Sequence, residues 1–316
     1  MGAISGLREL ERYAVGRGEA LDIHSVHLCL QLGQSLEEAL MQFNFRNSAL
    51  RQRFDGVKYA VKKLESLEYE INLARQRALA DERQLPEDQL EAPSGDAPSL
   101  DVAAMAVRKL DYDAFDERRE QVMKQSRDVV KAAKNAIYAL QRDDWKRADS
   151  QIQLCADKAN EIYADFASTS PTLRLGFFSG ALEEMAEALA YRAFRRDKKL
   201  LSATEMQAIS SLKFDLLLAE YLGGVMDLTG EVGRFAIRSA SQGRSGKEAI
   251  KSCLACVEVV YDGVSILPHV PSSLSKKIGP LKSTMSKIEQ VLYELALLSG
   301  GLKASWDDPP PDSNAE

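Results

Sequence analysis

The feature that most constrains this chain is the spacing of its apolar residues. Between Arg46 and Arg77 they fall at Leu50, Phe54, Val57, Val61, Leu64 and Leu67, a recurrence of three to four positions that places them on one face of an α-helix. The same spacing returns along most of the chain. Proline is absent before Pro86, and the alternation of β-branched and polar residues that marks strands is missing. The pattern predicts an all-α protein, an antiparallel helical bundle.

One segment interrupts it. Residues 78–100 carry three prolines, a Ser-Gly pair and a run of acids, which predicts a solvated linker. The chain thus divides into a short part, residues 1–77, and a long part, residues 101–302, followed by a Pro- and Asp-rich tail, 303–316, expected to be disordered. The long part reads as about six helices. These are expected near 101–142, 144–166 and 171–198, then from a Ser202/Glu205 capping box to 241 with a kink at Gly223–Gly224, then 247–267 and 271–300.

The short part repeats the end of the long one. At an offset of 224 residues Ser48, Leu50, Lys58, Lys63, Glu65, Tyr69 and Glu70 meet Ser272, Leu274, Lys282, Lys287, Glu289, Tyr293 and Glu294. At an offset of 222, Glu9 and Arg12 meet Glu231 and Arg234. A helix pair of this size buries too little to stand alone, so residues 2–77 are expected to dock on the C-terminal helices of the long part or on another chain.

Charge excludes some functions. The net charge of −6 argues against a simple basic nucleic-acid-binding domain. No apolar stretch approaches the roughly 20 residues needed to span a bilayer. Cys253 and Cys256 form a C-x-x-C inside an apolar helical run, but only three histidines exist and no second ligand pair accompanies them, so zinc and redox roles are disfavoured. With no signal peptide apparent, the four cysteines fit a reducing compartment.

Two groups of acids stand apart from the solvated majority. In GFFSGALEEMAEALAYRAF, Glu184 and Glu187 are three residues apart on one helix face, with Glu183 turned toward solvent. In YLGGVMDLTGEVGRFAI, Asp227 and Glu231 are four apart in the most apolar run of the chain. Buried carboxylates are costly unless cations or metals meet them. Four such oxygen donors suit Mg²⁺, or Mn²⁺, and an ion there can promote attack of water on a phosphodiester. The alternative is neutralisation by Arg192, Arg234 or Arg238 in ion pairs. A di-iron site is disfavoured, since no Glu-x-x-His is present.

These stretches carry a resemblance. YLGGVMDLTGEVGRFAIRSASQG, GALEEMAEALAYRAF, SRDVVKAAKNAIYALQR and SSLSKKIGPLKSTMSKIEQVLYEL resemble the TRAX branch of the translin/TRAX family, over residues 101–302. FNFRNSALRQRFDGVKYAVKKLESLEYEI resembles the C-terminal portion of the translin branch, over residues 2–77, which accounts for the repeat. Translin portion before TRAX portion reads as a fusion, designed or natural, that lacks the first half of translin and much of its basic surface.

The resemblance implies an all-helical catalytic subunit of a hetero-oligomeric, octamer-like shell formed with translin, cytoplasmic and nuclear. The implied activity is Mg²⁺-dependent cleavage of single-stranded RNA, in RNA silencing and transfer-RNA processing. It puts the catalytic and metal-binding acids at Glu184, Glu187, Asp227 and Glu231, with Glu184 and Asp227 the first choices as ligands. Arg192, Arg195, Arg196 and Arg234 are the expected RNA contacts. A non-enzymatic scaffold that stabilises translin is the rival expectation.

Overall fold

The computed structural model describes residues 2–46, 49–80 and 100–299. The expected disordered linker lies almost wholly outside these residues, and the tail lies entirely outside them. Every regular element among the described residues is helical, so the all-α expectation holds. No helix there is long and apolar enough to cross a membrane.

The chain forms two compact units, divided between Glu117 and Arg118. The first contains α1 (Gly2–Glu19), α2 (Ile23–Met41), the short α3 (Ala49–Phe54), α4 (Val57–Ala80) and the start of α5 (Val102–Leu140). It is more than a helix pair. Leu7, Ala14, Val26, Leu30, Val61 and Leu64 form a buried core of their own, against which Leu100, Met105 and Tyr112 also pack. The first turns of α5 therefore belong to this core, so the unit continues past the linker. Asp22 caps α2 by accepting from the Ser25 backbone N–H at 2.9 Å.

The second unit holds the rest of α5 and α6 (Trp145–Ile162), which is capped by Asp144 and runs into a single π-turn, Tyr163–Ala167. It continues with α7 (Pro171–Arg174), α8 (Phe177–Asp197), α9 (Ala203–Ile209), α10 (Leu218–Ala240), α11 (Lys247–Ser265) and α12 (Ser272–Ser299). Helix α10 is central, packing against α8, α11 and α12.

Two expected helices are each two helices. The third breaks at Leu175–Gly176, where Gly176 takes φ +70°, a conformation that glycine adopts without the Cβ penalty. The fourth is interrupted over 210–217. Its Ser202/Glu205 capping box is present, but the Gln207 amide then takes over backbone partners. It donates to the Phe214 carbonyl at 2.9 Å and accepts from the Leu216 N–H at 3.0 Å. Where Gly223–Gly224 predict a kink, α10 stays one continuous helix through both residues.

Candidate active site

The site starts from two glycines. A Cβ on Gly224 would lie 2.7 Å from the Ala186 Cβ, the Glu183 carbonyl oxygen and the Glu187 nitrogen. A Cβ on Gly223 would lie 2.4 Å from the Glu183 carboxyl carbon. The missing side chains let α8 and α10 approach backbone to backbone. Asp227 is one turn beyond these glycines and Glu231 one turn further, so the close approach brings the acids of α10 up to Glu184 and Glu187 of α8.

All four predicted acids line one cavity of about 490 Å³, together with Lys134, Ile137, Tyr138, Gln141 and Arg234. Three are partnered. Glu184 meets the Lys134 ammonium at 3.4 Å. Glu231 pairs with Arg234 at 3.1 Å and accepts from the Gln141 amide. Asp227 accepts from Lys277 of α12, which also donates to Glu183. Burial works against the Lys277 charge, but these two carboxylates outweigh it and hold its pKa above the usual lysine value.

Glu187 differs from the other three: no described residue gives it a hydrogen bond or an ion pair. Burial first, then the charges of Asp227, Glu184 and Glu231, push its pKa up to about 8. The Lys277 charge opposes this only in part, so a half-buried carboxylate facing three others keeps an electrostatic deficit that a hard divalent ion would relieve. The donor set fits Mg²⁺ or Mn²⁺ in kind. Among the described residues no three His, Cys, Asp or Glu side chains are already gathered into a coordination shell. Binding an ion would therefore require Asp227, Glu184 and Glu231 to turn from Lys277, Lys134 and Arg234 toward it.

Several expected positions need correction. Glu183 does not face solvent; it lies over Gly223 and bonds to Lys277. Arg195 is buried and cannot contact RNA. Its guanidinium donates to the Leu140 carbonyl at 2.5 Å, pairs with Asp143 and stacks 4.4 Å from the Phe235 ring centroid. Its spacing from Arg192 and Arg196 cannot reveal this, because the binding partner is a helix end distant in sequence. Arg192 is paired with Asp149 at 2.5 Å, outside the cavity lining. Arg196 is exposed but also outside that lining. Arg234 is the predicted arginine that reaches the cavity. Of the arginines considered as neutralisers, it alone pairs with one of the four acids among the described residues. Arg238 instead donates to the Gln141 carbonyl.

Sequence reasoning missed Lys134, Tyr138, Gln141 and Lys277. Lys134 and Tyr138 lie on α5 and Gln141 directly follows its last residue, at four- and three-residue intervals, but nothing in that pattern distinguishes them from solvated surface groups. All four cysteines are buried free thiols, and burial pushes Cys253 up to about 12 and Cys256 up to about 11, as inert core residues require.

Comparison with known proteins agrees with this architecture. The profile of the Translin family matches residues 1–75 and 117–298. Translin-associated protein X of Rattus norvegicus is 23% identical over 235 residues, 63% of this chain and 80% of the rat protein. The Translin-associated protein X homolog of Schizosaccharomyces pombe is 20% identical over 195 residues, covering 57% of this chain and 82% of its own. Among solved structures, apo-NeC3PO superposes with a TM-score of 0.52 at 20% identity, over 64% of this chain and 100% of that one. AfC3PO in complex with duplex RNA does so with a TM-score of 0.51 at 14% identity, over 63% and 99%. A whole neighbour chain is thus accommodated by about two thirds of this one.

Proposed function

The chain belongs to the Translin family, and from that premise we propose that it is a Mg²⁺-dependent ribonuclease acting on single-stranded RNA. The observation that carries this reading is Glu187, an unpartnered carboxylate pushed up to about 8 inside a four-acid cavity. When bound, Mg²⁺ or Mn²⁺ supplies positive charge that offsets the charge developing on a phosphodiester under attack. Glu184 and Asp227 are the first-choice ligands. Glu187 and Glu231 complete the set, as further ligands or as the group that takes the proton from the attacking water. Arg234, exposed at the cavity, binds the RNA backbone. A translin chain is the proposed partner in an oligomeric assembly. A structural neighbour of the same fold is bound to duplex RNA, which supports RNA as the ligand class; the single-strand preference rests on the family resemblance.

A second reading has its own observation. Lys134, Arg234 and Lys277 already neutralise three of the four acids, as they would in a non-catalytic assembly module that needs no metal.

Cleavage of an end-labelled single-stranded RNA by the purified chain, with Mg²⁺ or with EDTA, beside an Asp227→Asn variant, separates the two. The nuclease reading expects metal-dependent cleavage that the variant loses. Inert wild-type protein, alone and with full-length translin added, would favour the assembly module.

A further inference from the structure

The four-acid cavity has an aromatic wall that the proposed chemistry does not use. Tyr138 is the aromatic side chain among those lining it. The residue is 47% exposed, although it stands on a helix whose opposite face is packed. Its hydroxyl makes no hydrogen bond to any described residue. The Arg142 guanidinium, four residues on in the turn after α5, lies 3.5 Å from the ring centroid. One turn before it, Lys134 reaches Glu184.

A fold gains little by holding a tyrosine in this way. The ring leaves about half its surface in water, and its hydroxyl satisfies nothing. What the arrangement provides is a flat π surface, fixed by a cation over one face and placed beside the carboxylates. Successive bases of an unpaired strand stack on such surfaces, and a base in a duplex is not free to do so. We propose that Tyr138 is a nucleobase-stacking platform that positions single-stranded RNA at the four-acid cavity, with Arg142 bracing the ring. Tyr138 thereby acts as a specificity residue that favours unpaired over duplex RNA. This rests on the ribonuclease reading and adds the residue by which the site selects its substrate.

The test is binding of the full chain to fluorescein-labelled RNA in EDTA, where nothing is cut, read by anisotropy. Wild-type, Tyr138→Phe, Tyr138→Trp and Tyr138→Leu proteins are each titrated with a single strand and with the matching duplex. Loss of one stack predicts that Tyr138→Leu binds the single strand roughly 5–100-fold more weakly, with duplex affinity changed less than about twofold. Phe and Trp at this position keep the single-strand affinity within about twofold, because both retain a ring face. Equal losses for both RNAs, or no loss for either, would overturn the platform while leaving the ribonuclease reading standing. Wild-type protein that binds neither RNA, alone and with full-length translin added, would remove both.

Discussion

Lys277 of α12 reaches across to Asp227 of α10 and holds the same ammonium against Glu183 of α8. One cation therefore ties α12 to α8 and α10, the two helices that carry the acids of the cavity. It also offsets the repulsion between two carboxylates that lie close together; burial, joined by that repulsion, raises the Glu183 pKa.

Removing that cation should loosen the unit. The three side chains are 23–36% exposed, so water screens part of the effect. Lys277→Met is expected to cost about 1–2 kcal/mol, below the range for breaking a fully buried pair. Thermal denaturation in low salt would register it as a lowered midpoint. An unchanged midpoint would mean that the triad adds nothing to stability.

Glu187 gives a pH signature. Its folded pKa, raised to about 8, lies above the ordinary value of 4.5. Ionising it therefore opposes folding, a cost absent below about pH 4.5 that grows up to about pH 8. In EDTA, Glu187→Gln should be more stable than wild type by about 1–3 kcal/mol at pH 7, and the difference should vanish near pH 4. Denaturant titrations at the two pH values check it. Added Mg²⁺ should stabilise wild type more than the variant.

The close approach of α8 and α10 can be probed with one substitution at two glycines. Gly224→Ala would place a methyl group against the backbone of α8 and should cost about 1–3 kcal/mol through overpacking. Gly180→Ala, where nothing lies within 4 Å, should be neutral or stabilising by up to about 1 kcal/mol, because alanine loses less entropy within a helix. Equal effects at the two sites would contradict the packing argument.

The two arginines Arg195 and Arg234 should behave oppositely. Arg195→Ala removes a buried guanidinium that satisfies the end of α5, and should destabilise by roughly 2–4 kcal/mol. Arg234→Ala should leave stability nearly unchanged, weaken RNA binding and flatten its salt dependence by about one phosphate contact.

Much of this was legible in the sequence because it is local. Helix boundaries such as Asp144 and the Ser202/Glu205 box follow from side chains that bond within three residues. The four acids could be paired because the three- and four-residue spacings of Glu184/Glu187 and Asp227/Glu231 each specify one face of one helix. What escaped depends on contacts between elements. Glu183 faces α10 because Gly223 leaves it room, which its own helix does not reveal. Arg195 is buried by Leu140 and Asp143, more than fifty residues earlier. Lys277 joins the acids from α12, where SSLSKKIGPL reads as a solvated helix start. Gly223 and Gly224 serve the close approach of α8, and α10 runs unbroken through both.

The central claim is that the four carboxylates hold a divalent ion, and Mn²⁺ titration at pH 7.5 tests it most directly, with free Mn²⁺ read by its electron paramagnetic resonance signal. Wild-type protein should bind Mn²⁺ saturably and give it up to excess Mg²⁺, while Asp227→Asn and Glu187→Gln should each lose that binding. Wild-type protein that leaves all the Mn²⁺ free, or variants that bind as wild type does, would contradict the account.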